Sequence, residues 1–184
     1  MLAEDRRETF YHDRVRELGP RFQGFDLASV ETALSLLYSY DVLLQVLGRS
    51  MAEYGLSKSS VNILMLLRHG PAEGMQLHDL GELLLVSRAN ITGLIDHLEE
   101  KGYVKRVVDA QDRRARYARI TRKAEALIDE YMPVHYRRLK MLLQDLTEEE
   151  KGTLIRLLKK TRRSIYAHAA ECELEGSVAC SALE

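Results

Sequence analysis

Between Asp109 and Arg119 the chain runs DAQDRRARYAR, gathering Arg113, Arg114, Arg116 and Arg119 beside Asp109 and Asp112. The whole 184-residue chain carries a formal charge of −1. From Lys101 to Lys123, however, nine Lys or Arg face two Asp, so this segment is about +7 and the remainder about −8. An Arg-rich loop alone is more often a solvated surface than a binding site. Its meaning depends on the elements that hold it.

Other chemistry is thinly represented. The six histidines show no pair at i, i+3 or i, i+4, so no metal site is visible. There is no G-x-G-x-x-G, P-loop or H-E-x-x-H, and the carboxylates fall on solvated helix faces, so neither enzymatic activity nor a cofactor is expected. Cys172 and Cys180 both lie in the last 13 residues and hold no disulfide framework. Apolar content of 46% and charged content of 30% are ordinary for a globular protein. No uninterrupted apolar run approaches the roughly 18 residues of a membrane span, and the charged N-terminus lacks a signal-peptide core. A soluble, cytoplasmic protein is expected.

The elements around the arginines can be read from their periods. Residues 1–25 balance acids and arginines around scattered aromatics, and read as an arm or short helix broken at Gly19-Pro20. Residues 26–54 carry two apolar stripes, one through Leu27, Val30, Leu34, Leu37, Leu44 and Met51, the other through Leu36, Tyr40, Leu43, Leu47 and Tyr54. Together they exceed the roughly 100° that one core contact needs, which predicts a subunit interface. Ser57 or Ser59 can cap a short helix that ends at Gly70-Pro71, and 72–76 reads as a loop.

A two-turn helix anchored by Leu77, Leu80 and Leu84 follows, then Ser87 as N-cap of a second helix with Ile91, Leu94, Ile95 and Leu98 inward. Gly102 stands where a left-handed residue closes that helix. The period then drops to 2 in YVKRVV and RYARIT, a two-stranded hairpin around DAQDRRA. Thr121 can cap a helix over 122–145 that contains Pro133. Thr147 and Glu150 form a capping-box pattern before a last helix with Leu154, Leu157, Leu158 and Ile165 inward. After residue 170 the sequence predicts a loosely ordered acidic tail.

Short helix, tight turn, second helix and hairpin make a winged helix-turn-helix, whose second helix is built to enter a major groove. With its apolar face turned inward, Arg88, Asn90, Thr92 and His97 point out. Arg can grip guanine, and Asn adenine, through paired acceptors and donors. Ser87 leaves the positively polarised helix start free to face a phosphate. Arginines at the hairpin tip suit the negative potential of a narrow minor groove. Asp112, two residues from Arg114 on one side of an extended segment, can hold that arginine in a bidentate pair, and Asp109 can close the turn.

From about 30 to 165 the chain resembles the MarR (multiple antibiotic resistance regulator) family. The resemblance rests on LGELLLVSRANITGLIDHLEEKGYVKRVVDAQDRRARYARIT, with Asp112-Arg113-Arg114 at the wing. It implies a mainly α fold with a small β-wing and N- and C-terminal dimerisation helices. By position it implies DNA contacts from Ser87, Arg88, Asn90 and Thr92, with Arg114 as the minor-groove arginine. The expected domains are an arm (1–25), dimerisation helices (26–54 and 122–170), a DNA-binding module (55–121) and a tail (171–184). The implied function is a homodimeric regulator of double-stranded DNA that binds a palindrome, a repressor released by a phenolic or other small amphipathic effector. Tyr38, Met65, Arg68 and His69 are candidates to line the effector space. Three departures stand out: Leu85 occupies a turn position where the family often has glycine, and Gly93 and His97 stand where arginine is common. A winged module that binds only protein is the alternative, but such modules usually lose recognition-face and wing-tip basic residues, and Arg88, Arg113 and Arg114 are present.

Overall fold

The structure, a computed structural model, describes residues 6–108 and 116–181. Asp109, Asp112, Arg113 and Arg114, on which the wing-tip expectation falls, lie outside the described residues. Among these, α1 (Arg6–Leu18) and a short 3-10 turn precede α2 (Leu27–Glu53), α3 (Lys58–His69), β1 (Met75–Gln76), α4 (Leu77–Leu84) and α5 (Arg88–Glu100). Then come β2 (Val104–Val108), β3 (Arg116–Ile120), α6 (Arg122–Leu142) and α7 (Glu148–Ser181). The chain divides into two compact units, residues 1–135 and 136–184, the division falling within the α6 sequence.

The helix starts follow local capping chemistry. Asp26 accepts the Ser29 N–H at 2.8 Å, Ser57 the Ser60 N–H at 3.1 Å, and Ser87 the Asn90 N–H at 3.3 Å. Of the two serines considered for α3, Ser57 is therefore the cap. Thr121 accepts the Ala124 N–H at 3.3 Å to start α6. Such caps satisfy N–H groups that the helix cannot, each contributing about 1 kcal/mol.

The core of the first unit is the winged module with the start of α6 and the end of α2. Ile63, Leu64, Leu80, Ile91, Ile95, Leu98, Val104, Ala118, Ile128 and Tyr131 are all nearly or fully buried. Tyr131 meets the ring of Tyr54 edge-on at 5.3 Å, which fastens α6 beside the C-terminal end of α2. In the sheet, ordered β1-β3-β2, β3 is the central strand, paired antiparallel with β2 from Val104↔Ile120 to Val108↔Arg116. Its other edge takes β1, through Met75↔Ala118 and Gln76↔Tyr117.

That third strand corrects the expectation of a loop over 72–76 and a two-stranded hairpin. Two residues are too few to show a period of 2. The constraint sits at Gly74 instead: at φ +107°, its missing Cβ would lie 2.5 Å from the Ala118 carbonyl oxygen. Only glycine lets the chain pass so close to β3.

Other boundaries shift modestly. α6 ends at Leu142 rather than 145, and α7 continues through Ser181 rather than stopping near 170. The segment from 171 to 181 holds three Glu, no proline and one glycine, Gly176, so no residue in it breaks the helix. The Thr147–Glu150 capping box forms as expected, with the Thr147 N–H donating to Glu150 at 2.7 Å and the Glu150 N–H to Thr147 at 3.2 Å.

The inward placement of Leu154, Leu157 and Ile165 does not hold within one chain: all three are exposed, Ile165 at 59%. On α2, Leu37 (59% exposed), Tyr40, Val42 and Val46 are likewise uncovered. By length and composition α2, with an 18-residue stretch of mean hydropathy 1.2, would also pass as a membrane span. The absence of long uninterrupted apolar runs concealed this.

Leu85, at the turn between α4 and α5, sits at φ 54°, ψ 43° and is 78% exposed. A left-handed conformation costs an L-residue with a Cβ roughly 1–2 kcal/mol. Leu85→Gly is therefore expected to stabilise the protein by about 0.5–1 kcal/mol after glycine's greater entropy loss is counted. Urea unfolding at one fixed protein concentration measures this, and a loss of stability would show that the Leu85 side chain supports the turn.

Candidate nucleic-acid interface

The helix-turn-helix is held by packing between α4 and α5. Gly81 on α4 lets the two helices close, since a Cβ there would lie 3.3 Å from the Val86 carbonyl and 3.6 Å from Ile91. With Ile91, Ile95 and Leu98 buried and Leu94 half-buried, the outer faces of α5 carry Arg88, Asn90, Gly93, Asp96 and His97, all exposed. Thr92 is half-buried, and its hydroxyl donates to the Arg88 carbonyl at 3.0 Å, so its hydrogen is already used by its own helix. Ser87 is exposed, with its Oγ engaged in the N-cap. A Cβ at Gly93 would meet nothing within 4 Å, so the protein's own packing does not require a glycine there.

The described part of the wing brings two of its basic groups together in a way the sequence alone does not show. Lys105 and Arg119 stand directly opposite each other across β2 and β3, and both are exposed. Like charges placed so repel and weaken the sheet, a cost that an external anion would remove. Strand register was needed to see this pair, because 14 residues separate the two in sequence.

The other missed residue is Arg106. It pairs with Asp96 and Glu99 of α5, and its backbone N–H donates to Glu99 at 2.9 Å. That backbone hydrogen bond is the main cause that holds the Glu99 carboxyl below its ordinary value of 4.5, reinforced by the guanidinium.

The four candidates for an effector space do not converge. Met65 and His69 line an apolar groove of about 530 Å³ with Asn62, Leu66, Met75 and Leu83. Arg68 instead reaches α6, donating to Asp129 at 2.5 Å and to the Glu125 carbonyl at 3.3 Å. Tyr38 on α2 meets the ring of Tyr11 on α1 at 5.8 Å. Among the described residues no cluster of three His, Cys, Asp or Glu is placed to hold a metal ion.

Comparison with known proteins decides the family. A sequence profile described as the MarR family matches residues 54–115. The HTH-type transcriptional regulator YkoM of Bacillus subtilis is 34% identical over 113 residues, 61% of this chain and 71% of that protein. The chain belongs to the MarR family. The HTH-type transcriptional repressor YetL of B. subtilis is 26% identical over 147 residues, 80% of this chain and 88% of that protein.

Solved MarR-type structures share the fold. Sco3205 of Streptomyces coelicolor, crystallised in complex with DNA, superposes with a TM-score of 0.72 at 18% identity, covering 78% of this chain and 91% of that one. CouR of Rhodococcus jostii RHA1, bound to p-coumaroyl-CoA, gives 0.63 at 23% identity, covering 74% and 92%. As a MarR-family member the protein is a DNA-binding regulator of transcription and not an enzyme.

Because the Glu99 carboxyl is held low in the folded protein, its contribution is present above its ordinary value of 4.5 and is lost as pH falls through the lowered one. An NMR titration following the Arg106 amide is expected to show a transition whose midpoint lies below 4.5. A transition centred above 4.5 would contradict the Glu99–Arg106 bond.

Proposed function

We propose that this MarR-family protein binds a palindromic operator as a homodimer, represses transcription from it, and is released by a small amphipathic or phenolic effector. The observation that carries the proposal is the capped start of α5, where Arg88 and Asn90 are exposed beside a wing bearing the Lys105–Arg119 pair. Arg88 and Asn90 offer the donor and acceptor patterns that read guanine and adenine edges. Ser87, Thr92 and His97 would contact backbone or groove edge at the helix flanks, and Arg113 and Arg114, with Asp112 orienting the latter, would enter the minor groove.

On this proposal residues 55–121 are the DNA-binding module, and 26–54 with 122–170 the dimerisation helices. Residues 1–25 are an arm, and 171–184 an acidic tail that is helical through Ser181. The protein acts in the cytoplasm, where its DNA is. Repression is supported by the likeness to YetL, and a small-molecule effector by the likeness to CouR. Of the four candidate effector residues, Met65 and His69 have the groove in their favour. For Tyr38 and Arg68 a role would require a wall supplied by the second protomer.

A homodimer is supported by what one chain leaves uncovered. Leu37 and Tyr40 on α2, and Leu157 and Ile165 on α7, are exposed large apolar side chains on helices of 27 and 34 residues. As surface residues of a monomer they would tolerate Glu with changes of about 0.5 kcal/mol. At an interface, an unpaired charge costs several kcal/mol. Leu37→Glu combined with Leu157→Glu is therefore expected to convert the dimer to monomer in sedimentation. An unchanged dimer would place the interface elsewhere.

The DNA contacts are tested by titrating an operator duplex, selected from random sequence, and a scrambled duplex at one salt concentration. Asn90→Ala is expected to lose about 1–3 kcal/mol on the operator and to change the scrambled duplex little. Equal losses on both would remove α5 from base recognition. Failure of the unaltered protein to prefer any duplex would favour a protein-binding module.

A further inference from the structure

Arg106 sits in the middle of β2, opposite Ala118, on the strand face that turns inward. Its side chain is only 22% exposed, and its partners all come from one element. The guanidinium pairs with Asp96 and with Glu99, and Nη2 donates to the Thr92 carbonyl at 3.4 Å. The Arg106 backbone N–H donates to Glu99 Oε1 at 2.9 Å, so one carboxylate holds both the main chain and the side chain of the same strand residue. Thr92, Asp96 and Glu99 are spaced i, i+4, i+7 and form one flank of α5. Among the described residues, no other ion pair joins α5 to the sheet.

Stability alone is a poor reason for this arrangement. The Arg106 Nε is buried and has no hydrogen-bond partner, so one of its donors is left unsatisfied. Partly buried ion pairs of this kind are often no more stabilising than a well-packed apolar residue. What the planar, branched guanidinium does supply is a fixed distance and angle between two elements, which a lysine's single ammonium cannot reproduce.

We propose that Arg106 is a positioning residue that fixes the wing relative to the recognition helix, so that both reach the DNA in register, and that it also offsets one of the two carboxylate charges, Asp96 and Glu99, which would otherwise face the phosphates. The proposal rests on the DNA-binding function put forward above and adds a residue that itself touches no base.

Its two parts separate experimentally. Arg106→Lys keeps the charge and loses the fork. Arg106→Gln loses both and exposes Asp96 and Glu99. Arg106→Gln combined with Asp96→Asn and Glu99→Gln removes the whole ion cluster and leaves no unpaired carboxylate. Each is titrated against the selected operator and the scrambled duplex at one salt concentration, and its thermal unfolding is recorded alongside.

The expected result for Arg106→Lys is a fall of roughly tenfold in the operator-to-scrambled ratio, with scrambled-duplex affinity nearly unchanged. The triple variant should bind the scrambled duplex at least as well as the unaltered protein, its net charge being one unit more positive, while its operator preference stays low. Arg106→Gln should lose affinity for both duplexes. A residue that only stabilised the fold would move the melting temperature and both affinities together. Retention of the full ratio by Arg106→Lys, or its recovery in the triple variant, would overturn the positioning role. If Arg106→Gln does not fold, Arg106→Lys carries the test. Absence of any operator preference in the unaltered protein would overturn the DNA-recognition proposal itself, an outcome distinct from both.

Discussion

Ile91, Ile95 and Leu98 are each at most 1% exposed, and their burial fixes the rotation of α5 about its own axis. A rotation of one residue, about 100°, would bring Arg88 or Asn90 into the core and leave an isoleucine in water, at a cost of several kcal/mol. The polar groups offered to a partner are therefore chosen by what the core takes from the same helix. Leu80, Gly81 and Val104 complete the pocket that receives this face, and Ser87 sets where the helix begins. The Arg106 cluster then ties the wing to the flank of the helix that the core leaves free.

Much of this was legible in the sequence because it is local. N-caps at Ser57, Ser87 and Thr121 depend on a side chain and an N–H three residues away. The left-handed Gly102, at φ +69°, closes α5 where the change of period says it should. The buried face of α5 follows from the 3.6-residue repeat, and the outward placement of Arg88, Asn90 and His97 follows from it in turn.

What escaped depends on tertiary neighbours. The β1 edge strand is two residues long and exists because Gly74 allows a close approach to Ala118. The Lys105–Arg119 pair is visible only once the hairpin register is known. Arg106 reads in sequence as one more member of a basic run, whereas in the fold it is largely hidden and paired with acids of the recognition helix. The apolar stripe of α7 was assigned to the interior because a period names an apolar face without naming what covers it. Within one chain that face is open, and on the proposed function a second copy covers it.

Dimethyl sulfate footprinting on the selected operator tests the central claim most directly, because methylation of guanine N7 reports occupancy of the major groove base by base. If a homodimer inserts two copies of α5, protection should appear as two short patches, symmetric about the palindrome centre and about 10 base pairs or a multiple apart. Asn90→Ala should weaken both patches together. A single patch, a uniform low protection along the duplex, or none at all while the protein remains bound would contradict recognition by paired α5 helices.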